Sequence, residues 1–99
     1  MFTIVYVESV DDDLSQIRVF ERRQILDRIE EQLLYEPAVE TRNKKPLVGV
    51  EPTWEHEKPV WELRVGEVRV FYDVKVAAEQ VTIRVIRHKP PHKTTQAIL

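Results

Sequence analysis

The sequence predicts an α+β fold in which a helical hairpin packs on one face of a small, mainly antiparallel sheet, in the order β-α-α-β-β-β. Three observations support this. A strand-like opening, FTIVYVESV (2–10), precedes about 25 residues with helical spacing. Three β-branched runs, Val60–Val65, Val68–Val76 and Val81–Lys89, then close the chain. Only two residues, Gly66 and Glu67, separate the first two of these runs, so they form a tight antiparallel hairpin. At 99 residues the chain suits one domain.

Each element has a local cause. Phe2–Val10 is rich in β-branched and aromatic residues. Asp11, Asp12 and Asp13 follow, and acids favour the positive end of a helix dipole, so they read as a cap and first turn. The alternative reading of three adjacent acids is a metal site. Leu14 and Ile17 lie three apart, and Ile25, Ile29 and Leu33 lie four apart, which makes one buried stripe. The phase slips around Val19–Glu21, so two helices meet there, and Pro37 cannot continue the second. Residues 37–59 read as a packed loop, punctuated by Pro37, Pro46, Pro52 and Pro59 but carrying Leu47, Val48, Val50 and Trp54. The tail, Pro90–Leu99, reads as irregular.

Composition narrows the function classes. The chain is 42% hydrophobic and 32% charged, which fits a folded, well-solvated protein. It has no cysteine, which excludes disulfides and thiolate sites and fits a reducing cytoplasm. No apolar run is long enough to span a bilayer, and the N-terminus lacks a signal-peptide pattern, so no membrane partner is expected. His56, His88 and His92 are too scattered to suggest a metal site. The net charge of −2 by itself argues against a nucleic-acid binder. The charge is uneven, however. Residues 1–41 carry a net −6 and residues 42–99 a net +4, so the second half has the means to form a basic patch.

Hairpin arithmetic locates that patch. Glycine at the first central position suits a type II′ turn. Val65 then pairs with Val68, Arg64 with Arg69, Leu63 with Val70 and Glu62 with Phe71. Leu63, Val65, Val68, Val70 and Tyr72 share the helix-covered face, while Arg64, Arg69 and Glu62 share the other. Carrying one parity into the last strand pairs Val76 with Val81 across an Ala77–Gln80 loop, couples Asp73 to Arg84 and sets His88 beside Arg69. Like charges directly opposite each other are destabilising. A row of Arg64, Arg69 and His88 therefore suits an anion, since guanidinium donates in a planar fork. The competing reading is a surface ion-pair net with Glu62, Glu67 and Asp73. Trp54 and Trp61 offer base-stacking faces or, more simply, packing. Tyr72 falls on the core face and His56 in an acidic surface loop.

Three segments, ETRNKKPL (40–47), WELRVGEVRVFYDV (61–74) and VTIRVIRHK (81–89), resemble the RelE/ParE superfamily of toxin–antitoxin systems. The resemblance covers nearly the whole chain and implies the RelE-like β-α-α-β-β-β fold. It implies a type II toxin that cleaves mRNA on the ribosome, without metal or other cofactor, and that a cognate antitoxin holds inactive. The other branch of the superfamily inhibits DNA gyrase without enzymatic activity, and a degenerate member would bind only its antitoxin. Within the nuclease branch, Arg69 matches the strand arginine on the scissile phosphate and Arg64 a second basic position. His88 falls where some relatives place an acid or base. Lys89, His92 and Lys93 would bind RNA phosphate, and Glu62 is a candidate general base. Val60 and Glu62 stand where RelE carries lysines, Pro90 replaces an arginine, and the tail lacks a tyrosine.

Overall fold

The computed structural model describes all residues from Met1 to Leu99. Strand β1 (Thr3–Tyr6) leads into a short helix α1 (Val10–Ser15) and the long helix α2 (Val19–Leu33). Strands β2 (Lys44–Pro46), β3 (Trp61–Val65), β4 (Val68–Lys75) and β5 (Gln80–His88) follow, and helix α3 (Thr95–Ile98) ends the chain. The sheet order is β1-β5-β4-β3-β2; only the β1–β5 pair is parallel. No helix is long and apolar enough to cross a membrane.

The helices form where the sequence places them, with sharper limits. The first strand ends at Tyr6, and Val10 opens α1 as a fully buried residue. Asp11, Asp12 and Asp13 occupy the first turn of α1, as their charge dictates. Asp13 also accepts the Ile86 N–H at 3.0 Å, on the β5 edge that β1 is too short to cover. Ile25, Ile29 and Leu33 of α2 pack with Val10 and Ile17 against Leu63, Val68, Val70, Tyr72, Val81 and Ile83. Burial of this stripe, at about 25 cal/mol per Å² of apolar surface, is what holds the helices to the sheet. Tyr72 is fully buried and donates to the Pro37 carbonyl at 2.8 Å; burial pushes its phenol well above the usual range.

The other sheet face is not open. Val60, Phe71 and Val85 form a second small core there, covered by Leu47 and Trp54 and by Ile98 and Leu99 of the tail. The loop over 37–59 therefore packs, as its apolar content requires, and it also contributes the edge strand β2. The tail, expected to be irregular, ends in α3, which Thr94 caps by accepting the Ala97 N–H at 3.3 Å.

The β3–β4 hairpin has the expected register: Val65 opposite Val68, Arg64 opposite Arg69, Leu63 opposite Val70. Gly66 has a φ of +59° and Glu67 is not in the left-handed region, which is the type II′ requirement. The β4–β5 register departs from expectation. Tyr72 lies opposite Ile83 but Phe71 opposite Val85, so Arg84 is an extra residue in a β-bulge. Asp73 is opposite Thr82, Val74 opposite Val81, and the connecting turn ends on Glu79 at φ +49°. Beyond the bulge the parity of β5 inverts. Ile86 joins the helix-side core, and Arg87, not His88, stands opposite Arg69. Asp73 and Arg84 still meet at 2.7 Å, because the extra residue leans back across the pair.

Candidate phosphate-binding cleft

A cleft of about 220 Å³ opens on the sheet face away from the helices, between β2, the β3–β4 hairpin and the start of the tail. Arg42, Asn43, Lys45, Glu62, Arg64, Arg69, Lys89 and Thr95 line it, and none of these is apolar. Five cations thus face one acid. The hairpin supplies Arg64 and Arg69 as directly opposed residues, and β2 adds Lys45 opposite Glu62. Strand alternation explains why adjacent lysines part company. Lys45 points into the cleft, while buried Lys44 points toward the helices and donates to the Gln32 and Glu36 carbonyls at 3.0 and 2.7 Å. There it caps the C-terminal end of α2, where a cation meets free carbonyls; burial lowers its pKa and Glu36 opposes the shift.

Arg69 is the most constrained cation. Its Nη1 donates to the Gly66 and Val68 carbonyls at 2.8 and 3.1 Å, which locks the side chain against its own turn. Its Nε lies 3.8 Å from Glu62 Oε2. Burial lowers the Arg69 pKa, Glu62 raises it and Arg64 lowers it again, but a guanidinium keeps its charge through shifts of this kind. Glu62 is almost wholly buried. Lys45 Nζ lies 3.7 Å from its Oε1, and the Thr95 hydroxyl donates to its Oε2 at 2.7 Å. Arg64 is exposed at the rim, held through its backbone N–H to the Asn43 carbonyl at 2.8 Å.

The expected site residues divide accordingly. Arg64, Arg69, Lys89 and Glu62 are brought together in the cleft. His88 is not. The bulge turns it to the helix side, opposite Val68, where its Nε2 lies 3.2 Å from Glu67 Oε2. His92 and Lys93 are exposed on the tail and do not line the cleft. Arg87 takes the position in the row that His88 was expected to fill; its Nε is buried without a hydrogen-bond partner. The adjacent apolar pair Val85–Ile86 was the available sign of a bulge, because it breaks strand alternation. Arg42 and Lys45 lay in the segment read as loop, and nothing local marked Thr95. Trp54 packs against Phe71 and His56, with ring centroids 5.9 and 5.6 Å away, and Trp61 stacks on Tyr72 at 6.3 Å, so both indoles serve packing. No group of three acidic or histidine side chains is placed to hold a metal.

No protein-family model matches the chain, and no curated protein sequence matches it significantly. Solved structures do match its fold. The isolated RelE toxin of Escherichia coli superposes with a TM-score of 0.70 at 15% identity, covering 94% of this chain and 89% of that one. The RelE–RelB complex of Pyrococcus horikoshii gives a TM-score of 0.69 at 19% identity, over 91% and 97% of the two chains. The RelBE2 toxin–antitoxin complex of Mycobacterium tuberculosis gives 0.63 at 17% identity, over 89% and 98%. The chain therefore has the RelE-like fold.

Proposed function

We propose that this protein is the toxin of a type II toxin–antitoxin pair and that its cleft holds an mRNA phosphodiester for cleavage on the ribosome. The observation that carries this reading is the Arg64–Arg69 pair. Two guanidiniums stand opposite each other in a cleft with Arg42, Lys45 and Lys89, on a RelE-like fold. Opposed cations on one sheet face are a liability without an anion between them. Cleavage needs the 2′-oxygen to attack the adjacent phosphorus while the pentacovalent oxyanion is stabilised and the 5′-oxygen is protonated on leaving. Arg69, fixed by its turn, is suited to the oxyanion, with Arg64 and Lys89 beside it. Glu62 is the one carboxylate at the cleft and the candidate to accept the 2′-hydroxyl proton. His88 has no place in this scheme. A cognate antitoxin is the expected protein partner.

A non-enzymatic reading is favoured by one observation: the cleft contains no histidine and no tyrosine to act as general acid. In that case the chain binds only its antitoxin, or inhibits DNA gyrase. Induced expression separates the readings. Wild-type protein should arrest growth and cut transcripts within codons, and an Arg64→Ala, Arg69→Ala double variant should do neither. Growth arrest with intact transcripts and altered DNA supercoiling would point to gyrase. Normal growth with intact transcripts for both proteins would leave antitoxin binding alone.

A further inference from the structure

Glu62 is misplaced for a site that only recruits phosphate. It is nearly buried, with Lys45 at 3.7 Å and Arg69 at 3.8 Å, where a ligand's negative charge would sit. The nearest cations of the cleft are thus already engaged from within. The carboxylate is also held from outside the sheet, since the Thr95 hydroxyl donates to it at 2.7 Å. Thr95 belongs to the terminal segment, whose Ile98 and Leu99 dock on the Val60, Phe71 and Val85 cluster. The tail is therefore anchored at both ends of a short path, by apolar contact at one and by Glu62 at the other.

We propose that Glu62 is an internal anion that occupies the cleft in place of a phosphate, and that Thr95 is the positioning residue that keeps it there. This rests on the cleft being the phosphate-binding site and adds a brake to it. A phosphodiester must compete with Glu62 for Lys45 and Arg69, so single-stranded RNA binds more weakly than five cations imply. The competition sets a threshold that isolated RNA meets poorly and that RNA held in place by a larger assembly meets easily, because its effective concentration is high.

The test uses a short 2′-O-methyl RNA, which binds but cannot be cleaved by 2′-oxygen attack. Its affinity is measured by fluorescence anisotropy across a salt series. Glu62→Gln keeps the shape and an acceptor for Thr95 but removes the charge. It should tighten binding roughly tenfold at low salt. It should also steepen the salt dependence by about 0.7 in log–log slope, the signature of one further cation freed for phosphate. Glu62→Asp, which keeps the charge, should remain near wild type. Thr95→Val should tighten binding by a smaller factor, and that gain should vanish in the Glu62→Gln background, because Thr95 acts through Glu62.

Unchanged or weaker binding by Glu62→Gln overturns the proposal, and so does a Thr95→Val effect that adds in full to that of Glu62→Gln. The Arg64→Ala, Arg69→Ala double variant separates the two levels. If it binds RNA as well as wild type, the cleft itself is the wrong site. If it loses binding while Glu62→Gln gains none, only the internal anion is refuted.

Discussion

Individual residues in this protein are placed by strand alternation and then put to different uses. Lys44 and Lys45 are neighbours in sequence, yet one caps a helix from within and the other faces the cleft. Lys44→Met keeps the aliphatic stem but leaves the Gln32 and Glu36 carbonyls without their donor. It should lower stability by about 2 kcal/mol, read as a fall in the urea midpoint at constant m-value. Lys45→Met should leave that midpoint almost unmoved, because its side chain is largely exposed. The last strand carries the other residue-level lesson. The Arg64–Arg69 pair was legible because a two-residue turn dictates it locally. His88 was misassigned because its facing depends on how many residues lie between it and the turn. Lys89→Ala should weaken RNA binding about tenfold, as loss of a charged phosphate contact in the cleft does. His88→Ala should leave RNA binding within about twofold, since the side chain is on the opposite face; anisotropy titration of both variants checks this. Equal losses in the two would mean that the bulge does not persist in solution.

Among the elements, the β3–β4 hairpin and the bulge of β5 together build the site, and they differ in how they are encoded. The hairpin rests on one glycine. Gly66 at φ +59° has open space where a Cβ would point, so Gly66→Ala meets conformational strain but no clash. It should destabilise the protein by about 1 kcal/mol, measured by chemical denaturation. It should also loosen Arg69, which donates to the Gly66 carbonyl. The bulge has no such marker residue. It is held by tertiary partners: Arg84 on Asp73, Asp13 on the Ile86 N–H, and the separation of Val85 and Ile86 into two cores. Those partners lie far apart in sequence, so alternation counted along the strand ran straight through. The same holds for β2 and α3. A three-residue edge strand ending in a proline, and one helical turn docked by Ile98 and Leu99, owe their existence to the surfaces they cover and not to local propensity. The long helix α2, whose buried stripe of Ile25, Ile29 and Leu33 repeats every four residues, was visible in the sequence.

For the whole molecule, the asymmetry of charge becomes a single basic cleft. The chain is net −2, yet of the eleven cations in residues 42–99, Arg42, Lys45, Arg64, Arg69 and Lys89 converge on one opening. An acidic remainder repels nucleic acid elsewhere, so binding should be confined to this face and strongly salt-dependent. Counterion release turns that into a number. On the proposed reading, five cations, one of them neutralised by Glu62, would make about four phosphate contacts, each contributing about −0.7 to the slope of log affinity against log salt for a single strand. The wild-type slope should therefore lie near −3, against about −1.4 for the Arg64→Ala, Arg69→Ala variant. A wild-type slope far steeper than this would require cations outside the cleft, spread over the basic half. A slope near zero would mean that RNA is held by stacking and not by charge, although Trp54 and Trp61, the two largest aromatic faces, are already engaged in packing. A slope near −3 that halves in the double variant would locate the phosphate contacts at the two opposed arginines, the one arrangement here that packing does not explain.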